Sequence, residues 1–151
     1  MVEVNAVTLL VGEDRGRSVR YLGLAIVSSL VAILTATIGH YALTSVLGIV
    51  GRVFMVTVPI FCLIAAYQAY RNQGLAVSIT LVFAPLFGMI SHGFGVGIFS
   101  EPTPLEWFLM GIRIGGGVAL VLGTGMFLTG MAARLISDWN QTRKKNPEQA
   151  A

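Results

Sequence analysis

Residues 21–43, "YLGLAIVSSLVAILTATIGHYAL", carry no formal charge. That run exceeds the ~20 helical residues that cross the ~30 Å hydrocarbon core of a bilayer. In water it would have to be hidden inside a core, and composition removes that option. The chain has 151 residues, of which 55% are hydrophobic and only 11% charged, whereas a soluble domain carries about 25% charged residues. A chain this short cannot cover so much apolar surface in one water-soluble core. The sequence therefore predicts an integral membrane protein. The run is longer than the 7–15 apolar residues of a typical signal-peptide h-region, its basic leader is long, and no clean A-x-A site follows. It reads as a retained first span.

The predicted fold class is all-α: a polytopic bundle of four transmembrane helices. Residues 1–20 form a tail, mildly apolar over the first eleven and turning at "GEDRGRS". The first span is 21–43. "TSVLGIVG", 44–51, reads as an outer turn or short re-entrant piece. The second span is 53–70, "RNQG" at 71–74 is a tight polar turn, and the third span is 75–99. The fourth runs from Trp107 to about Ile136, followed by a basic tail over 137–151. Thr103-Pro104-Leu105-Glu106 has the T-x-x-E form of a capping box, with proline where its missing N–H costs nothing. Trp107 and Trp139 are interfacial anchors. Helix between them measures about 48 Å, so it must tilt or project past the membrane. Pro59 and Pro85 each remove a backbone hydrogen bond inside a span and predict a kink.

Orientation follows from the cations. Arg15, Arg17 and Arg20 precede the first span, Arg71 lies between the second and third, and Arg134, Arg143, Lys144 and Lys145 follow the fourth. Four passes put all eight on one side and leave Arg52 and Arg113 at the other. The positive-inside rule makes the richer side cytoplasmic, with both termini inside. The expected location is the cell membrane, and the skew argues against a dual-topology transporter.

Two histidines interrupt the apolar runs. His40 lies 20 residues from Arg20 and His92 lies 21 from Arg71, about 30 Å of helix in each case. Both should reach the outer edge of the hydrocarbon, where an imidazole meets water at small cost. Each also continues a four-spaced stripe of small residues: Ser28, Ala32 and Ala36 before His40, and Ala76, Thr80, Ala84 and Gly88 before His92. Such spacing lets helices approach closely. The segments "SSLVAILTATIGH" and "TLVFAPLFGMISH" align with a shift of 52, a pattern of two related hairpins. Related by a twofold along the membrane normal, His40 and His92 would approach each other and suit haem, a copper or zinc ion, or a quinone. Packing or interfacial histidines, with no cofactor, are the plainer expectation, since no membrane carboxylate supplies a second shell.

Arg113 can snorkel outward or pair with Glu106 and Glu101; with Arg52 it could instead form an outward-facing anion site. Gly111, Gly115, Ala119 and Gly123 form a four-spaced seam for close packing, within the chain or in a dimer, while Gly116, Gly117, Gly125 and Gly130 lie on other faces. "GIRIGGG" lacks the lysine and preceding strand of a phosphate loop. No carboxylate lies inside a span, there is no Ser–His–acid pattern, and CxxC, HExxH and Cys/His clusters are absent. The lone Cys62 excludes an internal disulfide.

The function expected from this is non-enzymatic: an accessory or assembly partner that packs on other helices. Alternatives are a haem-, quinone- or metal-binding protein using His40 and His92, and an oligomeric permease for a small or anionic solute with Arg52 and Arg113 at its mouth. Expected partners are membrane lipid, further copies of the chain or other membrane subunits; nothing points to nucleic acid. The RKK tail can touch anionic lipid, at about 1 kcal/mol per charge near the surface.

Overall fold

The computed structural model describes residues 6–41, 44–91 and 103–145. The protein is all-α, with no strand among the described residues. A short helix α1 (Ala6–Val11) leads into α2 (Arg15–Tyr41), α3 (Thr44–Asn72) and α4 (Leu75–Ile90). The last long helix begins as α5 (Pro104–Met110), widens into one π-helical stretch over Gly111–Gly115, and continues as α6 (Gly116–Lys145).

Helix bounds differ from the sequence expectation in several places, among them the start of α2, the start of α3 and its end at Asn72. Helix α2 starts at Arg15 rather than near Tyr21, because arginine is a good helix former and its side chain can leave an apolar surface without breaking the backbone ladder. Residues 44–51 continue α3 instead of forming a turn or re-entrant piece. A glycine inside a helix costs only about 1 kcal/mol, so Gly48 and Gly51 do not stop it. Helices α3 and α4 run through Pro59 and Pro85. The capping box is formed as expected: Glu106 N–H donates to Thr103 Oγ1 at 3.3 Å and Thr103 N–H to Glu106 Oε2 at 2.7 Å.

Helix α4 is the centre of the bundle, packed on α2, α3 and α6, while α2 meets α3 at few points. Leu81, Val82, Pro85 and Ser78 of α4 are fully buried. The hairpins are thus unequal among the described residues, with α4 tight on α6 and α2 splayed from α3.

Small residues bring the backbones together. A Cβ at Gly88 of α4 would lie 2.7 Å from the Ala32 Cβ and 2.8 Å from the Ser29 carbonyl of α2. Gly111 faces the Phe87 ring and Ser91, Gly115 faces the Phe87 backbone, and a Cβ at Gly123 would sit 2.6 Å from Ile79 Cα. With Ala119, fully buried, these form one seam of the last helix against α4. A step of four residues overshoots an α-helical turn by about 40°. The wider i→i+5 turn at 111–115 offsets that drift, so Gly111 and Gly115 share a face. Gly130 takes α6 onto another neighbour, since a Cβ there would overlap the Ala66 carbonyl of α3.

Among the described residues two helices are long and apolar enough to cross a membrane, Arg15–Thr35 and the continuous run Pro104–Arg143; Leu75–Ile90 is apolar but shorter. Neither long helix is a buried core element: only 11% and 28% of their most apolar 18-residue stretches are covered. Their outer faces carry exposed Ile26, Leu30, Leu34, Val121, Leu128 and Leu135.

Candidate functional site

The buried polar side chains among the described residues, Ser18, Gln68, Asn72 and Ser78, collect at one end, where α2 begins, α3 ends and α4 begins. Helix α1 folds back toward the start of α4 through Gly12, whose φ of +101° is open to glycine. A Cβ there would fall on the Asn72 carbonyl oxygen and amide. Asn72, the last residue of α3, is fully buried and holds this arm. Its Oδ1 accepts the Asp14 N–H at 2.6 Å, its Nδ2 donates to Ser18 Oγ at 2.8 Å and to the Asp14 carbonyl at 3.1 Å, and its carbonyl accepts the Glu13 N–H at 2.9 Å. Ser18 in turn donates to the Val11 carbonyl. Beneath this knot Ser78 donates to Gln68 Oε1 at 2.8 Å. Gln68 Nε2 is buried without a partner among the described residues.

The end of α6 docks on the same place. Arg134 reaches Glu13 Oε1 at 3.4 Å, and, with the Gln73 amide turned to its better orientation, Gln73 Oε1 accepts from the Arg134 guanidinium. Tyr70 and Ser137 hydroxyls lie 3.4 Å apart. Beyond Ser137 every described side chain of α6 is exposed, with Arg143 stacked over Trp139 at 5.4 Å. The N-terminal arm, the α3–α4 turn and the end of α6 therefore share one end of the molecule, and bring Arg15, Arg17, Arg20, Arg71 and Arg134 together there.

Between the splayed α2 and α3 this end opens into a cleft of about 520 Å³, walled by Arg17, Arg20, Tyr21, Tyr67, Arg71 and Leu24. Arg17 is partly neutralised by Asp14 at 3.1 Å; Arg20 and Arg71 have no ion-pair partner among the described residues. A second, apolar slot of about 270 Å³ lies beside it, with Leu24 common to both. Val27, Val31 and Phe61 flank the slot, and Pro85 and Met89 of α4 lie at its base. Two of its hydroxyls are turned back on their own helix: Ser28 donates to the Ala25 carbonyl at 2.8 Å and Thr35 to the Val31 carbonyl at 2.7 Å.

The residues singled out from sequence are distributed differently. His92 lies outside the described residues, and so do the side chains of His40 and Arg52. Arg113 is exposed in the π-helical stretch and has no ion-pair partner among the described residues; Glu106 serves the Thr103 cap instead. The backbone and side-chain hydrogen bonds from Thr103 hold the Glu106 carboxyl below its usual range. No group of three or more His, Cys, Asp or Glu that could hold a metal occurs among the described residues. The Arg17–Arg20–Arg71 cleft was not apparent from sequence, where the three cations served only as topology markers. The one available signal was the i, i+3, i+4, i+7 spacing of Arg17, Arg20, Tyr21 and Leu24 on one helical face.

No family model matches the chain, and no curated protein or solved structure shows significant similarity to it.

Proposed function

We propose that the chain is a four-pass integral membrane protein of the cell membrane with both termini in the cytoplasm, acting without catalysis as a packing partner for other transmembrane helices. The observation that carries this reading is the outward face of α6. Gly117 and Gly125 are exposed with nothing within 4 Å of a Cβ built on either. Gly125, Thr129 and Ala133 follow at four-residue spacing on exposed positions, and the Thr129 hydroxyl is satisfied by the Gly125 carbonyl at 2.8 Å. Small residues at that spacing allow close helix approach in lipid. The seam on the opposite side, Gly111 to Gly123, is already used by α4 within the chain.

Lipid is the medium that suits this surface. A water-soluble monomer rarely exposes contiguous apolar patches beyond a few hundred Å², and here whole helix faces are apolar. Four passes alternating in direction would put the eight cations near the chain ends and at Arg71 on one side, which the positive-inside rule makes cytoplasmic. In this frame the bilayer-crossing part of the last helix is 107–136 and its end projects into the cytosol.

The test is purification from native membranes in mild detergent, with the size of the complex measured for the native chain and for Gly125→Leu. The expected result is a complex larger than one chain, reduced to the single chain by Gly125→Leu with helicity unchanged. A single chain in both preparations would contradict the packing role.

A further inference from the structure

The cleft and slot between α2 and α3 lie side by side, share Leu24 as a wall, and differ in chemistry. At the basic end, Arg17, Arg20 and Arg71 converge with Tyr21 and Tyr67, whose hydroxyls add hydrogen-bond donors. Asp14 offsets Arg17 alone, leaving two guanidiniums for a ligand. Guanidinium is the group of choice for phosphate, because its fork matches two phosphate oxygens at once. From Leu24 inward the walls are mostly apolar, and the Ser28 and Thr35 hydroxyls there are bonded to carbonyls of their own helix.

The dimensions select the ligand. Leu24 to Thr35 along α2 is about 16 Å, close to half of the ~30 Å hydrocarbon core, and so to one leaflet. The lips of the slot, Val27 and Val31, are more than half exposed, so a chain can enter sideways from the bilayer. The basic end is the one the proposed topology places at the cytoplasmic leaflet, where anionic lipids concentrate.

We propose that the α2–α3 gap holds one anionic phospholipid, its headgroup phosphate between Arg20 and Arg71 and an acyl chain in the slot over Phe61, Pro85 and Met89. This goes beyond the packing role and rests on the membrane reading. Occupancy of the gap joins two helices that otherwise touch little, so the lipid completes the bundle as a wedge between them.

The full chain, purified in detergent and exchanged into nanodiscs of phosphatidylcholine with one-tenth phosphatidylglycerol, is re-extracted and its retained lipid counted by native mass spectrometry. The proposal expects one phosphatidylglycerol per chain, in preference to phosphatidylcholine. Arg20→Gln/Arg71→Gln should weaken retention about thirtyfold, the loss expected for two near-surface charges, whereas Arg143→Gln/Lys144→Gln should leave it unchanged. Leu24→Trp, which narrows the junction of cleft and slot, should also release the lipid while leaving the arginines in place. Inorganic phosphate at millimolar concentration should fail to displace it; displacement by phosphate would make this a headgroup-only anion site and overturn the lipid assignment. Equal retention of phosphatidylcholine, or indifference to the Arg20/Arg71 change, would overturn it outright. A chain that stays monodisperse without detergent would instead sink the membrane reading beneath it.

Discussion

Asn72 is bound to Asp14 by a reciprocal pair of hydrogen bonds, Asp14 N–H to Asn72 Oδ1 at 2.6 Å and Asn72 Nδ2 to the Asp14 carbonyl at 3.1 Å. The two are 58 residues apart in the chain, so this pair ties the start of α2 to the end of α3. Asn72→Ala leaves the Asp14 N–H without its partner, while the Asp14 carbonyl keeps the Ser18 N–H and the Ser18 hydroxyl keeps the Val11 carbonyl, at about 1–3 kcal/mol in total. We expect a lower unfolding midpoint in detergent and faster tryptic cleavage after Arg15 and Arg17. Unchanged cleavage kinetics would show that the arm is held by something else.

The neighbouring Gln68 should behave in the opposite way. Its Oε1 accepts from Ser78, whose hydroxyl also lies within hydrogen-bond reach of the Ala65 and Gly74 carbonyls, while Nε2 is buried and has no partner among the described residues. An unpaired buried donor costs about 1–3 kcal/mol. Gln68→Met removes that donor at similar volume and strands no acceptor-seeking proton, because Ser78 keeps other carbonyls. Its unfolding midpoint should equal or exceed that of the native chain, and a loss beyond about 1 kcal/mol would contradict the assignment.

Glycines of the last helix provide an internal control. Gly123→Val drives a side chain into Ile79, whose Cα would be 2.6 Å from the first new atom; overpacking of this kind costs about 1–3 kcal/mol. Gly117→Ala enters open space and should shift stability by no more than about 1 kcal/mol. Thermal melts of the two variants in one detergent decide it, and equal effects would mean that the seam is not packed as described.

Ion pairing at the same end should contribute little. Glu13 and Arg134 are 3.4 Å apart with their side chains 48% and 30% exposed. Glu13→Gln is expected to lower stability by less than about 1 kcal/mol, and less still in 1 M salt, where charges are screened over about 3 Å. A larger, salt-independent loss measured by chemical unfolding would contradict this.

What was legible in the sequence was local. The Thr103–Glu106 cap depends on residues three apart, and it forms as read. The helical character of 21–41 follows from its apolar length, and that of 75–90 from its apolar run. What escaped the reading was long-range. "RNQG" looks like a polar turn, yet Asn72 is a buried helix terminus whose partners Asp14 and Ser18 lie across the bundle. Residues 44–51 look like a turn because of their glycines, yet they continue α3. The basic cleft was invisible because Arg17, Arg20 and Arg71 become neighbours only when α2 and α3 meet. His40 and His92 fall outside the described side chains, and an absorption spectrum of the purified protein decides between the expected packing or interfacial histidines and the haem-binding alternative.

The central claim, four passes through lipid with both ends in the cytosol, is tested most directly by placing a protease-cleavable fluorescent tag at each terminus and probing sealed, right-side-out vesicles with protease from outside. The account predicts that both tags survive until the vesicles are opened and are then lost together. Loss of one tag from intact vesicles would put the termini on opposite faces and contradict it.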